Sequence, residues 1–211
     1  LASYNRILLQ RNKLLKDLAF KPEYEETLDV WDMQLVHYGK EIIRCRNDFI
    51  NGLNEIIDKI HWKLSGEKEN LKILYDPCCQ EEELEGQIKK GRRSDMKQKT
   101  TLVGPHRDDI GFYMGQIDIR KFGSQGQQRT AALSLKLSEI ELVKKMTKDY
   151  PILLLDDVLS ELDGERQYHL LSAIDKIQTM ITCTGLEDFI TNRFPIDRIF
   201  KVANGSIAQE N

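Results

Sequence analysis

The sequence predicts an α/β protein, with a helical arm over residues 1–98 and a lobe over 99–211 in which strands and helices alternate. Two observations carry this. The first third reads as helix, whereas from Thr100 onward short apolar runs and helical patterns take turns. Within the second part the continuous run PILLL, Pro151 to Leu155, has the form of a short strand covered on both faces.

In the arm, Leu35, Ile42, Phe49 and Ile56 recur every seven residues, with Leu53 and Ile60 forming a second line. That spacing predicts a coiled-coil-like stripe interrupted by Arg46. Ser3 to Leu18, carrying Ile7, Leu8, Leu14, Leu15 and Leu18, is the expected antiparallel partner, and FKPEYEE around Pro22 the corner. Such a hairpin either spaces and packs, or it docks a partner protein or DNA. LKILY, Leu71 to Tyr75, predicts a strand closed by Asp76-Pro77, and a charged helix follows near Gln80 to Lys90. The stretch KKGRRSDMKQK sets Lys89, Lys90, Arg92, Arg93, Lys97 and Lys99 against one acid, Asp95. It is read either as a solvated loop or as a stretch that contacts DNA phosphates. The pattern changes after it, which places the boundary near residue 98.

In the lobe, Ile110–Tyr113 and Gln116–Ile119 flank Met114-Gly115 as a hairpin. Gln127 to Met146 is helical, with Leu133, Leu137, Ile140 and Val143 on one face and Leu135, Leu142 and Met146 widening it, as for a helix buried against a sheet. Asp163 is placed to cap a helix running to about Ile177. A strand over Thr179–Cys183 and a hairpin turning at Asn204-Gly205 complete the chain.

A formal charge of −3 excludes a protein that is basic all over, so any nucleic-acid binding requires a local patch. No apolar run approaches the roughly 20 residues of a membrane span. Cys45, Cys78, Cys79 and Cys183 fit neither a disulfide framework nor a CxxC metal site, and read as reduced thiols of a cytoplasmic protein. Leu1 in place of an initiating Met predicts that the chain begins within a longer protein.

Two stretches carry chemistry. PILLLDDVLSELD ends a buried strand in adjacent carboxylates, Asp156 and Asp157, at the edge where α/β proteins bind ligands. The two point in different directions, so one is free to hold Mg²⁺ and the other to accept a proton from water; the alternative is a turn with incidental acids. In SQGQQR, Ser124 to Arg129, a serine and a glycine open a helix, whose free N–H groups favour an anion. Gln125, Gln127 and Gln128 there either donate to phosphate or ribose oxygens or serve as surface amides at a cap.

SQGQQR resembles the signature motif of ABC-type ATPases, LLLDD their Walker B motif and SELD their D-loop. Together with VGPHRDD (Val103 to Asp109), QRNKLLK at Gln10 and LDVWDMQL at Leu28, the chain is similar over essentially its whole length to the RecF family of DNA replication and repair proteins. The resemblance implies the C-terminal lobe of an SMC/ABC-type head with a helical second domain, closing as a homodimer around ATP. Ser124, Gly126 and Gln127 then fall on signature positions that touch the γ-phosphate across the dimer, with Gln125 where many ABC proteins have glycine. Asp156 matches the magnesium carboxylate, Asp157 the position of the catalytic glutamate, and Ser160 and Asp163 the D-loop. Two departures stand out. No GxxxxGK[ST] string occurs, and Thr184 stands near the place of the usual switch histidine.

The resemblance therefore implies ATP- and Mg²⁺-dependent binding to DNA at gaps and single-strand/double-strand junctions, with RecR-like and RecO-like partners loading recombinase. Weak ATPase activity is expected of the full-length dimer and none of this chain alone, the missing P-loop marking a C-terminal part. The rival is a non-catalytic module presenting its arm to a partner. Another SMC-like head would carry a far longer coiled coil than Leu35 to Leu64 offers. His37, His61 and His169 are expected at the surface or an interface, and His106 carries no assigned role.

Overall fold

The computed structural model describes residues 1–174, 177–184 and 196–210. Helices α1 (Ala2–Asp17) and α2 (Leu28–Leu64) form the expected hairpin, turned by a 3₁₀ segment over Pro22–Thr27 in which the fixed φ of Pro22 starts the turn. The buried stripe of α2 differs from the heptad reading. Leu28 and Leu35 open it, but Ile43, Ile50, Ile57 and Leu64 continue it, one position on from Ile42, Phe49 and Ile56, and Phe49 is 45% exposed. A straight helix drifts about 20° per heptad, so over the length of α2 the buried line has to step by about one position. The stripe also includes Asp32, Gly39 and His61, which an apolar pattern cannot register. His61 is fully buried, not at a surface or interface.

Helix α3 (Leu84–Gln98) absorbs most of KKGRRSDMKQK, which is therefore helix and not loop. Its buried Asp95 meets Arg11 of α1, whose guanidinium donates to Asp32 at 2.6 Å, Asp95 at 2.7 Å and Thr101 at 2.8 Å. Charges this deep are tolerated only when paired and hydrogen-bonded, so the cluster pins α1, α2 and α3 together. Helix α3 closes on Lys99 in a left-handed C-cap. Packing nevertheless crosses residues 98 and 99. Strand β1 (Lys72–Asp76) pairs antiparallel with β2 (Asp109–Met114), and one apolar cluster joins Ile50, Leu53, Ile57, Leu71 and Ile73 to Ile119, Ala131 and Leu142.

Strand β3 (Ile117–Asp118) completes that sheet in the order β1-β2-β3, turning at Gly115, which takes a φ of 60° at no steric cost. After the short α4 (Ile119–Phe122) comes α5 (Gln125–Thr147). Helix α5 packs against α2 as well as against strand residues, burying Leu137, Ile140 and Leu142, whereas Val143 is 42% exposed. Ser134 and Ser138 lie fully buried along it, their hydroxyls donating to the carbonyls of Thr130 and Ser134.

Strands β4 (Leu153–Asp156) and β5 (Thr179–Thr182) pair in parallel, with α6 (Gly164–Ala173) between them in sequence. The expectation that the β4 run is covered on both faces fails: Leu155 is buried, but Ile152, Leu154 and Met180 are 64%, 68% and 65% exposed. Alternate residues of a strand face opposite sides, and only one side is covered among the described residues. The expected end of the α6 helix is shortened to Ala173, residues 175 and 176 lying outside the described ones. Strands β6 (Ile199–Ala203) and β7 (Ser206–Glu210) form the final hairpin, with Asn204 and Gly205 at positive φ as a two-residue turn demands. No helix among the described residues is long and apolar enough to cross a membrane.

Candidate nucleotide-facing site

The SQGQQR stretch is the N-terminus of α5. Ser124 is its N-cap, with its Oγ accepting from the Gln127 N–H at 3.2 Å while the Ser124 N–H donates to Gln127 Oε1 at 2.9 Å, a full capping box. The three amides have separate jobs. Gln127 Nε2 donates to Glu69 Oε1 at 2.7 Å, and Gln128 Nε2 donates to the Ile119 carbonyl at 3.0 Å, tying down α4. Gln125 faces solvent. Gly126 lies under the Arg166 guanidinium, so close that a Cβ would meet Nη1 at 2.7 Å. Arg166 also reaches Asp163 at 3.3 Å, which brings the signature turn and the start of α6 together. Ser124 keeps an exposed hydroxyl at the positive end of a helix of 23 residues, and no acid lies in the helix's own first turn.

A second set of residues sits at the end of β4. Asp156 accepts a hydrogen bond from the Thr182 hydroxyl of β5. Asp157 turns away in the left-handed region at φ 52°, its N–H donating to the Thr182 carbonyl at 3.1 Å. For a non-glycine residue that conformation is uncommon and has to be held by its surroundings; here the Ser160 hydroxyl also donates to the Asp157 carbonyl at 2.7 Å. Asp163 caps α6, accepting from the Arg166 N–H at 3.0 Å. Both acids are exposed. Among the described residues no group of three His, Cys, Asp or Glu gathers as a metal cage. Asp156 with a neighbouring hydroxyl suits Mg²⁺ only where phosphate oxygens and water complete the shell, which is how that ion is usually held. Thr184 lies exposed just past β5; the threonine that reaches the acid pair is Thr182.

No protein-family model matches the chain. Curated relatives do. It is 56% identical over 213 residues to the DNA replication and repair protein RecF of Lachnospira eligens, which covers 100% of this chain and 59% of that protein. It is 54% identical over 207 residues to the RecF of Agathobacter rectalis, covering 98% of this chain and 57% of that protein. The solved structure of the recombination mediator protein RecF-ATP in the RecFOR pathway superposes with a TM-score of 0.86 at 35% identity, over 100% of this chain and 57% of that one. The chain belongs to the RecF family. It shares the mixed helix-and-sheet fold of that RecF-ATP structure and spans less than two thirds of the length of the relatives it matches.

In this RecF-family chain the string VGPHRDD is a structural corner. Gly104 takes a φ of 137°, and His106 accepts from the Tyr4 hydroxyl at Nδ1, 2.8 Å, while its Nε2–H donates to the Thr101 carbonyl, 3.0 Å. Burial lowers the His106 pKa, so the ring is held neutral there. Asp108 accepts from Arg46 at 2.8 Å and from the Cys78 N–H at 2.9 Å. Exposed Asp109 is gripped by both terminal nitrogens of Arg120, which with the Ile110 N–H brings its pKa down to about 2.

The basic helix divides by face. Arg92 is engaged by Asp29 and, at 2.7 Å, by Asp32, and Lys89 pairs with Glu85 at 2.6 Å. Lys90, Arg93 and Lys97, at i, i+3 and i+7, line the face opposite buried Leu84, Ile88 and Asp95 and are all exposed.

Proposed function

We propose that this chain is the signature-bearing part of an ATP-dependent recombination mediator acting in DNA repair and replication. The observation that carries the reading is the capped mouth of α5: an exposed Ser124 hydroxyl at a helix N-terminus, fixed by a capping box and facing solvent as if to meet a ligand held by another subunit. The names of the relatives, DNA replication and repair protein RecF and a RecF-ATP mediator of the RecFOR pathway, support it.

In this reading Ser124 and Gln125 face the γ-phosphate of an ATP bound in trans, Gly126 and Gln127 complete the turn that presents them, and Ser160, Asp163 and Thr184 lie at the same interface. Asp156 supports Mg²⁺, which when bound offsets phosphate charge. Asp157, free of that duty, takes the proton of the attacking water. The uncovered Ile152, Leu154 and Met180 face of β4 and β5 is where the rest of an ATPase core, with its P-loop, packs. The full-length protein is a weak ATPase that dimerises on ATP, and this chain alone is inactive. DNA at gaps and junctions is met by α3 through Lys90, Arg93 and Lys97, with Lys89 and Arg92 largely committed to acids of the same chain. RecR-like and RecO-like proteins are the partners, and the cytoplasm is the compartment. The test is Ser124→Arg in the full-length protein: bulk at the interface abolishes the ATP-driven dimer peak in sizing chromatography. A dimer that forms normally sinks the reading.

The rival reading, an arm that docks a partner protein, has one observation in its favour. Phe20 at the hairpin corner is 84% exposed, beside Tyr24 at 46%. It predicts that Phe20→Ser abolishes partner binding and leaves ATP-driven dimerisation alone.

A further inference from the structure

The signature turn does not stand on α5 alone. Its Gln127 side chain is fixed from both ends: Oε1 accepts the Ser124 N–H and Nε2 donates to Glu69. Glu69 comes from the turn that leaves α2, where its own N–H donates to Ser65 Oγ at 3.1 Å. A glutamine amide caps a serine N–H only with its oxygen inward, and an acceptor on the nitrogen side decides that orientation. Glu69 is that acceptor. It also supplies the carboxylate that the first turn of α5 lacks, where the helix dipole favours negative charge.

The same carboxylate faces α2. His61 is fully buried, with Nδ1 at 2.8 Å from Ser134 Oγ, and the Ser134 hydroxyl proton is spent on the Thr130 carbonyl at 2.7 Å. Nδ1 is therefore the protonated nitrogen, and Nε2 presents a lone pair that has no hydrogen-bond partner, 3.9 Å from Glu69 Oε2. Glu69 thus faces the His61 ring at 3.9 Å with one oxygen and is held by the Gln127 amide at 2.7 Å through the other.

We propose that Glu69 is a positioning residue for the nucleotide-facing turn. It locks the Gln127 amide so that the capping box holds Ser124 with its hydroxyl hydrogen free for a phosphate oxygen, and it ties that geometry to the end of α2. The proposal rests on the reading of Ser124 given above. It assigns Glu69 no contact with the nucleotide.

The test compares Glu69→Ala, Glu69→Gln and Ser124→Arg in the full-length protein. It measures ATP-driven dimerisation by sedimentation, ATP affinity of the dilute monomer, and thermal unfolding. Glu69→Ala should weaken dimerisation about tenfold, the low end for losing a hydrogen bond to a charged group, with monomer ATP affinity unchanged. Glu69→Gln retains an acceptor oxygen and should recover most of the loss, which a lost charge alone would not allow. If Ser124→Arg blocks the dimer while Glu69→Ala dimerises normally, or if Glu69→Gln is as weak as Glu69→Ala, the positioning role is overturned and the Ser124 reading stands. If Ser124→Arg itself dimerises normally, both fall. A loss in Glu69→Ala accompanied by an equal fall in monomer ATP affinity or a collapsed unfolding midpoint marks general damage, and overturns the proposal as well.

Discussion

Arg11→Met separates the buried ion cluster from everything around it. Arg11 is fully buried, and its two carboxylate partners have side chains only 4% and 2% exposed. Methionine fills the stem's volume and removes the charge, so two buried acids lose a cation at once. Breaking a buried pair from one side costs about 3–5 kcal/mol. The structure argues for the lower end, because Asp32 keeps Arg92 at 2.7 Å and Asp95 keeps the Leu102 N–H at 3.0 Å. With a urea slope of about 2–3 kcal/mol/M, a loss of about 3 kcal/mol moves the midpoint down by roughly 1 M. Urea unfolding followed by circular dichroism reads this directly. Asp95→Asn added to Arg11→Met should recover part of the loss, since a neutral amide no longer needs the guanidinium. A midpoint shift below about 0.2 M in Arg11→Met, or no recovery in the double variant, would refute the reasoning that these charges hold α1, α2 and α3 together.

Further outcomes follow from the same geometry. In the full-length protein Asp157→Asn should bind ATP normally and lose about 10²–10⁴-fold in turnover, as for a missing general base. Its ATP-bound dimer should persist on sizing chromatography, whereas Asp156→Asn should weaken Mg²⁺ and nucleotide together. Arg93→Gln with Lys97→Gln should lower the slope of log affinity for DNA against log salt by about 1.4–1.8, two phosphate contacts' worth. Arg92→Gln should instead reduce stability, because it releases Asp29 and Asp32. The pH dependence follows from His61 and His106, whose pKa values burial lowers from the ordinary 6.5. Just below that value the unfolded chain binds protons that the folded chain refuses, so stability falls with decreasing pH, by up to about 1.4 kcal/mol per pH unit for each ring, until the folded-state values are reached. Thermal midpoints that stay flat between pH 7 and 5 in the His61→Gln, His106→Gln double variant, beside a slope in the parent, would confirm the origin. An equal slope in both would reject it.

The elements legible in the sequence are those written in local chemistry. Pro22 set a corner, Asn204-Gly205 a two-residue turn, Asp163 a helix start, and the Ser124 to Gln127 spacing a helix N-terminus. What stayed hidden was tertiary. The α2 stripe was misplaced by one position because its buried side includes Asp32, Gly39 and His61, each acceptable only through a partner elsewhere in the chain: Arg11 for Asp32, Leu84 closing over Gly39, Ser134 for His61. Likewise PILLL reads as doubly covered because its composition is uniformly apolar, while its alternation leaves Leu154 exposed.

The candidate site divides along the same line. The residues proposed to face a ligand belong to short strings and were named from the resemblance of those strings to family motifs. Those that hold them, Glu69 for Gln127, Arg166 for Gly126 and Thr182 for Asp156, come from outside those strings and are ordinary surface types in sequence. They also answer why so much amide gathers at the mouth of α5. Gln127 and Gln128 spend their hydrogen bonds inside the molecule, on the Ser124 N–H, Glu69 and the end of α4, and it is the serine beside them that is left facing outward. An amide can accept at one end and donate at the other without adding charge. A lysine or a glutamate at position 127 could do only half of that.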